Sequence, residues 1–121
     1  GVQTCAVTLL VDRSPDLQGV LTLGPSAAEP TLAALEEAGL IGKIQLGTFD
    51  LSPTVLAAVR DGKMAFAIDQ QQYLQGYLSV AMLALNARYG LLPAGVVMTG
   101  PGFVEKANAA QVIDLSKKGI R

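Results

Sequence analysis

KIQLGTFDLSPTVLAAVRDGKMAFAID, residues 43–69, reads as a strand, a helix and a strand in succession, and that reading decides the fold. Lys43 to Thr48 (KIQLGT) is a short strand-like run, and Lys63 to Asp69 (KMAFAID) is its counterpart. Between them, Phe49-Asp50-Leu51-Ser52-Pro53 forms a turn. Ser52 can cap the helix that follows, and Pro53 suits its first position, where the missing N–H would have had no partner anyway. The helix is expected to end near Asp61-Gly62. Two strands joined in this way make a right-handed crossover and a parallel pair.

The pattern extends in both directions. Upstream, Gln18 to Leu23 (QGVLTL) is another strand, closed by Gly24-Pro25-Ser26. Ser26 is expected to cap the next helix, with Glu29 completing a capping box and Pro30 tolerated in the first turn. That helix should run to about Ala38 and stop at Gly39. Before it, Val2 to Asp12 (VQTCAVTLLVD) is predicted to be helical, leading through Arg13-Ser14-Pro15-Asp16 into the strand. Downstream, a long helix should run from about Gln71 to Tyr89, with Gly90 as its stop. Gly95 to Thr99 (GVVMT) is strand-like, Gly100-Pro101-Gly102 breaks it, and Ala107 to Lys118 is a last helix. The class is α/β, a parallel sheet with flanking helices. Three parallel strands make a small sheet, better explained by a missing partner segment than by an independently complete fold.

Composition removes several functions. The 121 residues, half of them apolar, suit a single domain with a real core. A net charge of −1 offers no basic footprint for nucleic acid and no polybasic signal for a membrane surface. The longest apolar runs, such as VTLLV at 7–11, are far too short to span a bilayer as a helix. Without histidine, and with Cys5 as the lone cysteine, the chain lacks the commonest general base and any thiolate cluster, so neither a metal site nor a cofactor is expected. Cys5 reads as a small buried apolar residue. There is no glycine-rich phosphate loop and no carboxylate pair with evident acid/base spacing, so the chain does not read as an enzyme. Nothing at the amino terminus resembles a signal peptide, but a mature or truncated chain would lack one.

Binding chemistry is sought at the strand ends. LGPS, TFDLSP and AIDQQQYLQGY each follow a strand and precede a helix, which aligns them along one carboxyl edge, where open α/β sheets bind small molecules. Gly24, Asp50 and Gln70 should therefore cluster there. From the residues alone, Asp50 is either a helix cap or a ligand contact, and Asp69, Gln71 and Gln72 read as helix-capping or solvent-facing. Tyr73 and Tyr77 lie four apart on one helical face, a spacing that suits packing with the hydroxyls at the rim; stacking on a ligand ring is the other reading.

Residues 47–85, GTFDLSPTVLAAVRDGKMAFAIDQQQYLQGYLSVAMLAL, resemble the carboxyl-terminal lobe of the type I periplasmic binding proteins, the sugar-binding components of ABC transporters. The resemblance rests on the strand ending in Phe49-Asp50, Asp61-Gly62-Lys63, the strand entering Asp69-Gln70-Gln71, and Gln75-Gly76-Tyr77 opening the next helix. SPDLQGVLTLG with the helix ending in EEAG fits the preceding unit, and TGPGFVEKANA at 99–109 is similar to the tail of one transporter subfamily. It implies a Rossmann-like lobe of the periplasmic-binding-protein-like type, incomplete here, with residues 1–121 as a single domain and 99–121 as a tail crossing the hinge to pack on the other lobe through Phe103, Val104, Val112, Ile113 and Leu115.

The resemblance assigns Asp50 to the aspartate that accepts hydrogen bonds from sugar hydroxyls and Gln70 to the amide that both donates and accepts. Gly24 stands where many sugar binders carry a polar residue, often asparagine. The implied protein is a solute-binding component with no catalytic residue, no cofactor and no nucleic-acid partner. It would capture a small polar ligand, a sugar above all, between two lobes. Its implied partners are a membrane permease and the missing amino-terminal lobe or a complementary chain. Its implied location is periplasmic or extracellular, with a signal on the precursor and a lipid anchor on the full-length protein as one form. The alternative is the effector-binding domain of a lactose-repressor-class transcription regulator, which shares the fold.

Overall fold

The computed structural model describes residues 12–121. Four strands, β1 (Gly19–Thr22), β2 (Gln45–Phe49), β3 (Phe66–Asp69) and β4 (Gly102–Val104), form one sheet in the order β1-β2-β3-β4. Helices α1 (Pro25–Glu37), α2 (Pro53–Arg60), α3 (Gln72–Tyr89) and α4 (Ala109–Lys117) alternate with them. β1, β2 and β3 are parallel, as the crossover pattern requires, whereas β4 runs antiparallel to β3. The α/β class stands, with a mixed sheet in place of an all-parallel one. Most of the helix expected over Val2 to Asp12 lies outside the described residues.

Alternation along the strands sorts the sheet into two faces. Leu46, Ala67 and Val104 point into a core shared with Leu32 and Leu35 of α1, Val55 and Val59 of α2, and Val112 of α4. Thr22 and Thr48 are paired neighbours buried at the carboxyl end of this face. Their hydroxyls satisfy one another, Thr22 donating to Thr48 Oγ1 at 2.8 Å and Thr48 to the Phe49 carbonyl at 2.9 Å. The other face carries Leu21, Phe66 and Phe103, with Leu21 and Phe103 more than half exposed.

Gly47 is dictated by that second face. It is in register with Phe66, whose ring lies over its Cα, so that a Cβ there would come within 2.5 Å of the ring tip. The ring is held in turn by an edge contact to Phe103, with centroids 5.7 Å apart. Gly47→Ala should therefore push the ring off its partner and cost about 1–3 kcal/mol. Urea unfolding checks this, and a loss below about 0.5 kcal/mol would show that the ring has room to give.

The turns follow the sequence rules at some places and depart from them at others. α2 is capped as expected: Ser52 Oγ accepts from the Val55 N–H at 3.1 Å, Pro53 is the first helical residue, and Gly62 follows the end at φ 76°. α1 instead begins at Pro25, with Gly24 as an N-cap that has no side chain to offer. The Ser26 capping box does not form, because Ser26 lies inside the helix; Glu29 instead accepts from the Ser52 hydroxyl at 2.7 Å across the two helix starts. Pro30 consequently falls in the second turn of α1.

α3 ends at Gly90 as expected, with φ 68°, yet it buries none of its residues. Tyr77, Val80, Leu83 and Tyr89 are each more than 60% exposed. The expected strand over Gly95 to Thr99 is irregular chain, and the segment that pairs with β3 is Gly102–Val104. Three of the five apolar tail residues expected to pack on another lobe are engaged here, while Phe103 is exposed. Val104 and Val112 are buried in this lobe's own core, and Ile113 packs against it. Among the described residues, α3 buries nothing, the chain returns to the sheet edge at Thr99, and residues 102–117 dock.

Candidate functional site

The three strand ends predicted to share an edge do so because β1, β2 and β3 are parallel and adjacent. β2 is prolonged by one bond, from the Asp50 N–H to the Ile68 carbonyl at 2.8 Å. The chain then turns through a left-handed Asp50 with φ 61°, a conformation that aspartate tolerates better than most residues. Since Ser52 caps α2, the Asp50 carboxylate is free of capping and turns to the next strand end. Gln70 Nε2 donates to Asp50 Oδ1 at 2.6 Å, and Gln72 Nε2 donates to the same oxygen at 2.9 Å.

Gln70 is held by its own backbone carbonyl, which accepts from Gln75 Nε2 at 2.8 Å and from the Thr99 hydroxyl at 3.2 Å. Gly24 lies at the same edge, two residues beyond Thr22, but makes no side-chain contact with the pair. A Cβ there would meet nothing within 4 Å, and its extended backbone suits any residue. The structure thus brings Asp50 and Gln70 together and leaves Gly24 as open space beside them.

Beneath this surface lies a buried carboxylate. Asp69, read as helix-capping or solvent-facing, is fully buried, and its Oδ1 accepts from the N–H of Gln71, the N-cap of α3, at 2.7 Å. That bond supports the left-handed Gln71, φ 56°, at which the chain leaves the sheet for α3. Asp69 Oδ2 lies 2.7 Å from Arg121 Nε, an ionic contact off the line of a linear hydrogen bond. Gly102, paired with Asp69, leaves room for that guanidinium, since a Cβ there would stand 3.3 Å from Arg121 Nη2.

A cleft of about 510 Å³ opens beside Gln70, walled by Phe49, Ile68, Met98 and Pro101, with Gln75 as a second polar group. Its size is that of a small-molecule site. Amides over an apolar wall can accept and donate hydrogen bonds to a polyhydroxylated ligand, and Gln70 links the cleft to the Asp50 carboxylate, an acceptor suited to hydroxyls. No group of three or more potential metal ligands occurs among the described residues. Sequence reasoning missed Gln72, whose only signal was its place in the run Gln70-Gln71-Gln72 at a strand end, and it missed the Arg121 partner of Asp69.

Residues 2–90 match the family described as periplasmic binding protein domain. The xylose/arabinose-binding protein XylF of Sulfolobus acidocaldarius is 31% identical over 109 residues, which cover 85% of this chain and 27% of that protein. Among solved structures, a carbohydrate transporter from Acidothermus cellulolyticus 11B in complex with myo-inositol superposes with a TM-score of 0.83 at 33% identity, over 98% of this chain and 42% of that one. An ABC transporter periplasmic solute binding protein from Actinobacillus succinogenes 130z with bound D-allose gives a TM-score of 0.77 at 25% identity, over 90% and 38%. The chain therefore spans less than half the length of each of these relatives.

Proposed function

The chain belongs to the periplasmic binding protein family, whose members named above are binding proteins, and from that footing we propose that it is part of the solute-binding component of an ABC transporter. The observation that carries the reading is the convergence of Asp50 and Gln70, 2.6 Å apart at the carboxyl edge of the sheet and beside an open cleft. The ligand is a small neutral sugar or cyclic polyol. Asp50 accepts from its hydroxyls, Gln70 both donates and accepts, and Phe49, Ile68 and Met98 cover its apolar side. Transport is preferred to effector sensing because the relatives named here are sugar-binding and transport proteins.

The complete protein closes two lobes over the ligand, and this chain supplies most of one. α3 belongs with the second lobe. It buries none of its residues here, and its exposed Tyr77, Val80 and Leu83 form the apolar surface that such a lobe would cover. The crossings between lobes then lie at Gln70 to Gln72 on the way out and at Thr99 to Gly102 on the return. Delivery to a membrane permease, in a periplasmic or extracellular setting, completes the role.

Calorimetry on the complete protein tests the proposal with D-xylose, L-arabinose, D-ribose, D-allose and myo-inositol. At least one should bind with a micromolar or tighter Kd, and the 121-residue chain alone should bind it about a hundredfold more weakly, because one lobe leaves the ligand half-exposed. Binding of an amino acid, with none of these sugars bound, would overturn the reading.

A further inference from the structure

Gln72 is an exposed side chain in the first turn of α3, a place where nothing in the packing demands a glutamine. Its amide nevertheless reaches back to Asp50, and it lands on the oxygen that Gln70 already occupies, at 2.9 Å against 2.6 Å. A carboxylate oxygen has two lone-pair sites, so these two N–H donors fill Oδ1. Oδ2 makes no hydrogen bond among the described residues and is the acceptor left for a ligand.

We propose that Gln72 is a positioning residue of the ligand site: it locks the Asp50 carboxylate so that Oδ2 is presented to a ligand hydroxyl. The inference rests on the reading of Asp50 and Gln70 as ligand contacts. It adds a residue whose own amide need not touch the ligand. Asp50 sits on a left-handed turn of the sheet edge, and Gln72 is fixed by the start of a long helix, so the bond between them spans two elements and removes side-chain freedom that binding would otherwise have to freeze. When a ligand enters, Gln70, which lines the cleft, can turn its amide to a hydroxyl while Gln72 keeps Asp50 in place. The same bond ties the site to α3, the element that buries nothing on this lobe.

The test is a binding cycle in the complete protein, using whichever sugar of the panel the wild type binds. Gln72→Ala should raise Kd about three- to tenfold, the worth of one hydrogen bond to a charged or polar group, with an unchanged melting temperature because the residue is exposed. Gln72→Glu should raise it further, since it sets a like charge against Oδ1. The effect should vanish in the background of Asp50→Ala: the double variant should bind no more weakly than Asp50→Ala alone. If Asp50→Ala weakens binding while Gln72→Ala stays within twofold of wild type, or if the two losses simply multiply, Gln72 does not act through Asp50 and the proposal is overturned by itself. If the wild type binds no sugar of the panel, the functional reading falls and the proposal falls with it.

Discussion

Asp50→Ala in the complete protein should weaken sugar binding by about 1.5–3 kcal/mol, roughly a ten- to hundredfold rise in Kd, the usual loss for a hydrogen bond to a charged group. The carboxylate is half-exposed and belongs to no core contact, so its removal leaves the sheet intact. Two side effects can be separated from the binding loss. Alanine at φ 61° is strained by about 1–2 kcal/mol, which lowers the melting temperature but enters Kd only weakly. Gln70 and Gln72 also lose their shared acceptor and become free to wander. Asp50→Asn separates these effects, because asparagine tolerates the left-handed turn and still accepts from both amides, while the charge is gone. If Asp50→Ala and Asp50→Asn both bind as wild type does, Asp50 is not a ligand contact, and the cleft beside Gln70 must be used without it.

Much of this site was legible because its determinants are local. A strand, a turn with Ser52-Pro53 and a helix are set by caps and periodicity within a few residues, and parallel strands must then end on one edge. That logic brings Asp50 and Gln70 to one edge, whereas their assignment as ligand contacts came from the family resemblance. What escaped depends on partners distant in sequence. Gly95 to Thr99 has strand composition, yet a strand needs a ladder, and the open side of β3 is taken by Gly102–Val104. There the glycine read as a breaker sits within the strand, where a side chain would crowd the Arg121 guanidinium. Ser26 and Glu29 have the capping spacing, but the helix begins one residue earlier at Pro25, which leaves Ser26 inside it, and Glu29 accepts from Ser52 at the neighbouring helix start. The tail at 103–115 read as apolar and therefore as partner-seeking. Val104 and Val112 find their partner in the core described here, whereas α3, which buries none of its residues, has apolar residues spread around it and no single stripe.

Arg121→Ala should cost about 3 kcal/mol of folding stability in the complete protein, the lower end of what is lost when one member of a buried ion pair is removed. Asp69 is 0% exposed, and among the described residues only Oδ1 of its two oxygens has a hydrogen bond, donated by the Gln71 N–H. Without the guanidinium at 2.7 Å, Oδ2 would be a buried charge facing nothing. The Arg121 side chain is itself 27% exposed, so water can follow it out and soften the penalty, which is why the lower end is expected. Asp69→Asn added to Arg121→Ala should recover part of the loss, because asparagine can still accept from Gln71 and carries no charge to desolvate. Urea unfolding of the three variants reads this directly, and a loss under about 1 kcal/mol for Arg121→Ala would mean that Asp69 is solvated without it. The binding readout should move as well. Asp69 precedes Gln70 and secures the left-handed Gln71, so a loosened Asp69 shifts both glutamines that hold Asp50, and Arg121→Ala should weaken sugar binding although Arg121 touches neither Asp50 nor Gln70.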